Sequence, residues 1–302
     1  MNSSSCVVPK VGVYVDDPPS LVFRHLAAAL EDMPVISRLR VMVDGPSPGF
    51  SDSRWSPGDL RKLRRAVDSI RSNIDITLVY WASAKRDHIE SIPSYLLPRI
   101  SAAKADSIEA DLEGAGGWKR SAVDGYSHLS QAGLALAEAV APIRSSGIRT
   151  EASTFPGHVE LTVNAGYSPF ADRMNVQVYP IAWVSRRADG VRTRRIIKWS
   201  SRLGPRRRVR DGMESALANL PGSIRITAAL PAWRQRWIDP EMPPEETMYA
   251  SLTVWKWIRS DHPERVLPEI SYWSWKWLVR AERILKSEGT YAREFLAGLA
   301  VA

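Results

Sequence analysis

Apolar positions along this chain gather into eight short runs, separated by longer stretches in which they recur every three to four residues. The runs begin near Val11 (VGVYVD), Leu39 (LRVMVDG), Ile74 (IDITLVYWAS), Asp106 (DSIEADLEG), Ile148 (IRTEAST), Met174 (MNVQVYPIAW), Ile224 (IRITAALPAW) and Glu269 (EISYWSWKW). Several are apolar with little alternation, as expected of strands in a parallel sheet covered by helices. The segments between them predict helices: LVFRHLAAALEDM, PGDLRKLRRAVDSIRS, HIESIPSYLLPRISAAK, the stretch from Arg120 to Arg144, and MYASLTVWKWIRSDH. Eight β–α alternations predict a closed (β/α)8 TIM barrel, with residues 1–302 forming a single domain. A doubly wound sheet would use fewer strands and a Gly-rich first turn, whereas the first strand here runs into Asp16, Asp17, Pro18 and Pro19. The connection after the sixth strand is the longest, which predicts an insertion there.

Composition narrows the class. The 302 residues are 44% hydrophobic and 25% charged, the range of a globular protein with a large core. One cysteine, Cys6, excludes both an intramolecular disulfide and a cysteine-ligated zinc. No window approaches the roughly 18 apolar residues of a membrane span, and MNSSSCVVPK lacks the features of a signal peptide, so synthesis in the cytoplasm is expected. The net charge of +8 is local: Arg186 to Arg210 holds eleven basic residues and one acid, a balance of +10, which leaves −2 for the remainder. The five histidines show no metal-binding spacing, and G-x-S-x-G, P-loop and G-x-G-x-x-G motifs are absent. No metal and no cofactor are expected.

In a barrel the reaction site lies at the carboxyl ends of the strands. The fourth strand carries Glu109, Asp111 and Glu113 two residues apart, which puts them on one face and Ile108, Ala110 and Leu112 on the other. With the apolar face under the helices, the acidic row points inward. The strand ends carry few basic residues to neutralise it, so repulsion and burial are expected to keep one carboxyl protonated, as a general acid requires. Glu151 on the fifth strand is either a further site acid or a salt-bridge partner. Of the twelve tryptophans, Trp81, Trp118, Trp183, Trp233, Trp273 and Trp275 fall near strand ends, where a flat ring can stack on a sugar. Trp255 and Trp257, on a helical pattern, are expected in the core.

The run Asp106, Glu109, Asp111, Glu113 resembles the D-x-x-D-x-D-x-E signature on the fourth strand of glycoside hydrolase family 18, the chitinases and related enzymes. Gln177 and Tyr179 on the sixth strand are similar to the Q-x-Y of the plant chitinase/lysozyme branch, and I-S-Y-W-S-W on the eighth to the family's final strand. Glu109 stands where the family has aspartate. Family 25 lysozymes, barrels with a D-x-E on one strand, are the nearest rival, with Asp16 as a possible additional acid. The family 18 resemblance implies a retaining glycosidase assisted by the substrate's own acetamide. Glu113 would protonate the glycosidic oxygen, Asp111 and Tyr179 would hold the acetamide, and Glu109, Asp106 and Gln177 would support them. Trp118, Trp273, Trp81 and Trp183 would contact sugar.

The expected function is a monomeric hydrolase of a polysaccharide of N-acetylated sugars, above all peptidoglycan, with chitin as the close variant. A basic hydrolase without a signal peptide fits a phage lysin that reaches the anionic wall after release. The alternative is a barrel without chemistry whose Arg-rich segment grips nucleic acid or another polyanion. Only Trp199 is interleaved with those arginines and no nucleic-acid motif accompanies them, so nucleic acid is the weaker partner.

Overall fold

The amino-acid sequence folds its eight apolar runs into eight parallel strands, each hydrogen-bonded to the next and the last to the first, which closes a barrel. The computed structural model describes residues 10–43, 55–112, 129–154, 171–178, 203–231, 244–273 and 275. The strands are β1 (Lys10–Val15), β2 (Ile36–Met42), β3 (Asp75–Trp81), β4 (Ser107–Asp111), β5 (Arg149–Thr154), β6 (Arg173–Gln177), β7 (Arg225–Pro231) and β8 (Val266–Trp273). Six helices lie among the described residues: α1 (Pro19–Asp32), α2 (Pro57–Ile70), α3 (Arg86–Ala103), α4 (Leu129–Ser145), α5 (Leu203–Asn219) and α6 (Pro244–Asp261). The predicted (β/α)8 barrel is therefore the observed fold.

Local chemistry explains the helix boundaries. Pro19 and Pro57 open α1 and α2, where a missing N–H is harmless and a fixed φ is already helical. Ser56 and Asp59 add a capping box at the start of α2, with Asp59 N donating to Ser56 Oγ at 3.1 Å. Lys104 ends α3 in the left-handed region at φ 45°. That helix runs through Pro93 and Pro98, where propensity alone would break it, and buries Ile89, Ile92, Leu96 and Ile100 along one face. Packing against the sheet outweighs the lost bonds.

Strand alternation divides the molecule into two unlike layers. One face of each strand, including Val11, Val13, Leu39, Ile76, Leu78, Ile108 and Ile226, joins the helices in a continuous apolar core. The opposite face turns into the barrel, where the only apolar cluster among the described residues is Tyr14, Val79 and Ala229 with Met42. The remaining buried interior positions are polar or charged. A barrel of this class usually fills its interior with layers of branched apolar side chains. Here ions and hydrogen bonds take their place.

Two expectations are corrected. The basic segment is not an insertion throughout, because its last residues, from Leu203 through Arg210, belong to α5, the helix between β6 and β7. Residues 179–202, the remainder of that connection, lie outside the described residues. Trp255 is buried in the core as expected, but Trp257 is 49% exposed. The two residues are two apart on one helix and so cannot share a face.

Candidate active site at the carboxyl end of the barrel

Asp111 closes β4 on its inward face and is 5% exposed. Its Oδ1 accepts from Gln177 Nε2 at 2.9 Å and from Ser153 Oγ at 3.3 Å. These donors come from the ends of β6 and β5, so three strands converge on one carboxylate. Trp81, the last residue of β3, is the register partner of Asp111, and its ring stacks on the imidazole of His88 in α3. The loop beyond is tied down as well, since Ala82 N donates to Asp111 O at 3.1 Å.

One layer deeper, Glu109 is fully buried and committed on both oxygens. Oε1 accepts from the Tyr14 hydroxyl at 2.6 Å, and Oε2 pairs with the Arg40 guanidinium. Tyr14 in turn accepts from Asn175 Nδ2 at 2.5 Å, and Asn175 Oδ1 accepts from Thr227 Oγ1 at 3.1 Å. Arg40 is the hub of the interior. Its Nη1 also reaches Glu151 at 2.8 Å, its Nη2 reaches Glu269 at 3.1 Å, and its Nε donates to Ser271 Oγ at 2.8 Å. Gly12 makes room for it, because a Cβ there would lie 2.8 Å from Ser271 Oγ and 3.4 Å from Arg40 Nε.

Arg38 extends the network towards the amino end of the barrel, bonding Glu151 at 2.8 Å and Asp75 at 3.1 Å, while Arg173 meets Glu269 at 3.3 Å. Burial opposes the charge on Arg40, but Glu109, Glu151, Tyr14 and Glu269 outweigh it and raise its pKa well above the ordinary value. Burial also opposes ionisation of Glu151, yet the charges of Arg40 and Arg38 bring its pKa down to about 2. Glu151 is thus a salt-bridge partner. The expectation that the interior acids lack counter-charges is overturned by Arg38 and Arg40.

The structure brings together Asp111, Gln177 and Trp81, with Glu109 beneath them. Asp16 follows β1 at the same end of the barrel, half-buried. Asp106 is not brought there. It precedes β4 at the opposite end, where its Oδ2 accepts from Ile76 N at 2.8 Å and links β3 to β4. Glu113, Tyr179, Trp118 and Trp183 lie outside the described residues, as does the ring of Trp273, whose backbone ends β8. Sequence reasoning missed Arg40, Arg38, Tyr14, Asn175 and Ser153. A signal for the first two was available, since Arg38 and Arg40 are two apart in I-S-R-L-R-V-M, the spacing that singled out the acids on β4.

By sequence, the chain matches no family model and no curated protein. Solved structures are more informative. A family GH18 chitinase from Chromobacterium violaceum aligns over 95% of this chain and 84% of its own, at 13% identity and a TM-score of 0.54. The GH18 chitinase ChiB of Flavobacterium johnsoniae aligns over 95% and 94%, at 13% identity and 0.51. The fold is family 18-like. The spore cortex-lytic enzyme SleL of Bacillus cereus gives 10% identity and a TM-score of 0.55, over 96% of this chain and 74% of that one. In this family 18-like barrel, Asp111 and Gln177 occupy the carboxyl ends of β4 and β6, the strands on which their motifs were recognised.

Proposed function

We propose that the protein is a glycoside hydrolase of N-acetylated glycans, with peptidoglycan as its substrate and Glu113 as its proton donor. The observation that carries this reading is Asp111, buried at the carboxyl end of β4 and oriented by Gln177 and Ser153. A carboxylate fixed by neutral donors at the mouth of a barrel suits an acetamide that must be held still and stabilised as it becomes charged. Glu113, two residues further along the sequence, protonates the departing oxygen, and the acetamide carbonyl attacks the anomeric carbon. Asp111 orients that acetamide together with Tyr179, and water then opens the resulting ring with retention. This departs from the usual scheme in which a second protein carboxylate is the nucleophile. Support comes from the fold shared with GH18 chitinases and with a cortex-lytic enzyme.

Peptidoglycan is preferred over chitin because the basic connection after β6 would favour an anionic polymer. The deciding experiment incubates the protein with purified peptidoglycan and, separately, with chitin oligomers, and identifies new reducing ends by mass. Reducing muramic acid or glucosamine ends from the wall support the reading. Release from chitin alone reassigns the substrate, and no release from either overturns the activity.

A further inference from the structure

Arginines crowd the amino end of the barrel on three neighbouring strands. Arg173 on β6 and Arg225 on β7 are register partners, which puts their Cα atoms about 4.8 Å apart. Arg149 stands on β5, two residues before Glu151, the register partner of Arg173. All three take the inward face of their strands, since Ala152, Met174 and Ile226 on the same strands join the core under the helices. Four residues, about 13 Å at 3.3 Å each, separate Arg173 from Gln177 on β6, so the cluster is remote from Asp111.

The carboxylates nearby are divided among several cations. Glu269 meets Arg40 at 3.1 Å and Arg38 at 3.2 Å as well as Arg173 at 3.3 Å. Asp75 takes Arg38 at 3.1 Å and reaches Arg149 only at 3.5 Å. Arg149 Nε is buried without a hydrogen-bond partner among the described residues. Arg225 is exposed and meets no carboxylate among them. Arg265, which leads into β8, brings no acid either, because it donates to Leu220 O and Pro221 O. Burial lowers the pKa of Arg173, and repulsion from Arg149 and Arg38 adds to that, against the attraction of Glu151 and Glu269. Like charges facing each other on adjacent strands are destabilising, and a counter-ion relieves them.

We propose that Arg149, Arg173 and Arg225 form a site at the amino end of the barrel for a divalent oxyanion of the phosphate class. A guanidinium presents paired N–H donors that match two oxygens of such an ion, and three of them on adjacent strands surround it from one side. Arg225 contributes a whole uncompensated charge, and Arg149 and Arg173 contribute the part that Asp75 and Glu269 leave over. The site is independent of the glycan-cleaving reading, because it shares no residue with Asp111 and its donors. A bound anion stabilises the folded chain by mass action.

The test titrates inorganic phosphate into the full chain by calorimetry and follows the thermal midpoint, at ionic strength held constant with potassium chloride. The solution is kept at about pH 8, above the second ionisation of a phosphate monoester at about 6. One phosphate binds per chain and the midpoint rises to a plateau. Arg225→Gln and Arg149→Gln each weaken binding about tenfold, the loss of one charge-assisted contact. Without phosphate, the midpoint of Arg225→Gln is no lower than that of the wild type, because the repulsion with Arg173 is gone. A purely structural arginine would instead lower it. Replacing Arg206, Arg207 and Arg208 with Gln leaves phosphate binding unchanged. Methyl phosphate bound as tightly as the free ion supports a phosphate carried on a larger molecule, and weaker binding supports the free ion. Dimethyl phosphate, with one charge, bound as tightly as either overturns the dianion site. So does a wild type without saturable binding, an Arg225→Gln variant that binds like the wild type, or binding lost in the triple variant.

Discussion

Arg40 carries more of the barrel interior than any other described residue, since its guanidinium meets Glu109, Glu151, Glu269 and Ser271 and lies 5.8 Å from the centre of the Tyr14 ring. Removing one partner of a buried ion pair typically destabilises by about 3–5 kcal/mol. Arg40→Met is expected to fall within that range, measured by urea unfolding, because it removes the cation paired with Glu109 and leaves Glu151 and Glu269 to Arg38 and Arg173. Under the proposed mechanism, Glu113→Gln keeps the side-chain shape and removes the transferable proton. Turnover is expected to fall about 10²- to 10⁴-fold with the circular dichroism spectrum unchanged. Retention of more than roughly a tenth of wild-type turnover would assign the acid elsewhere.

Two side chains set separate pH windows for stability. His88 has a folded pKa of about 4 against an ordinary 6.5. As pH drops below 6.5 the unfolded chain takes a proton that the folded protein refuses, so stability declines down to about 4. Glu151 has a folded pKa of about 2 against an ordinary 4.5, and its contribution is complete above 4.5 and lost as pH falls towards 2. Urea midpoints measured across pH should show the upper decline flattened in His88→Asn and the lower one flattened in Glu151→Gln.

Among the elements, α2 is the most locally specified. A strong N-terminal cap and a proline at its first position act before any tertiary contact forms, and Leu60, Leu63 and Val67 then seat it on the sheet. Ser56→Ala should lower stability by about 1 kcal/mol without moving the site, read by thermal melting and by unchanged activity. The same helix shows how far a charged residue can follow an apolar face. Arg64 is buried among those leucines and donates to Ile74 O at 3.0 Å and Asp68 at 2.5 Å. In α5, Val209 and Met213 face the core, while Arg210 stays outside near Asp211 and Glu214. Part of the basic segment is thus the polar face of a barrel helix.

For the whole molecule, charge is distributed in two ways with different consequences. Inside the barrel, acids and arginines pair off at short range and are shielded from salt. The segment from Arg186 to Arg210 carries an excess of +10, a net charge whose attraction for polyanions depends on salt. Exposed charges reach only about 8 Å at physiological ionic strength. Replacing Arg206, Arg207 and Arg208 with Gln should therefore weaken binding to isolated cell walls and flatten its salt dependence, with cleavage of a small soluble oligosaccharide nearly unchanged. Equal losses on both substrates would place those arginines in the site or the core.

The sequence by itself determined the barrel, because each strand and helix announces itself through a local period that needs no partner to be read. It also determined which residues of β4 turn inward, since alternation is a property of one strand. The charge state of that interior was decided only by closure. Arg38 and Arg40 on β2 meet Glu151 on β5 and Glu269 on β8, pairs separated by more than a hundred residues, and register across eight strands brings them together. Asp106 and Asp111 read as one motif in the sequence, yet they stand at opposite ends of a strand, about 16 Å apart at 3.3 Å per residue. Spacing along a chain gives the face a side chain takes. Its height in the barrel and its neighbours there follow from strand register, which no local pattern encodes.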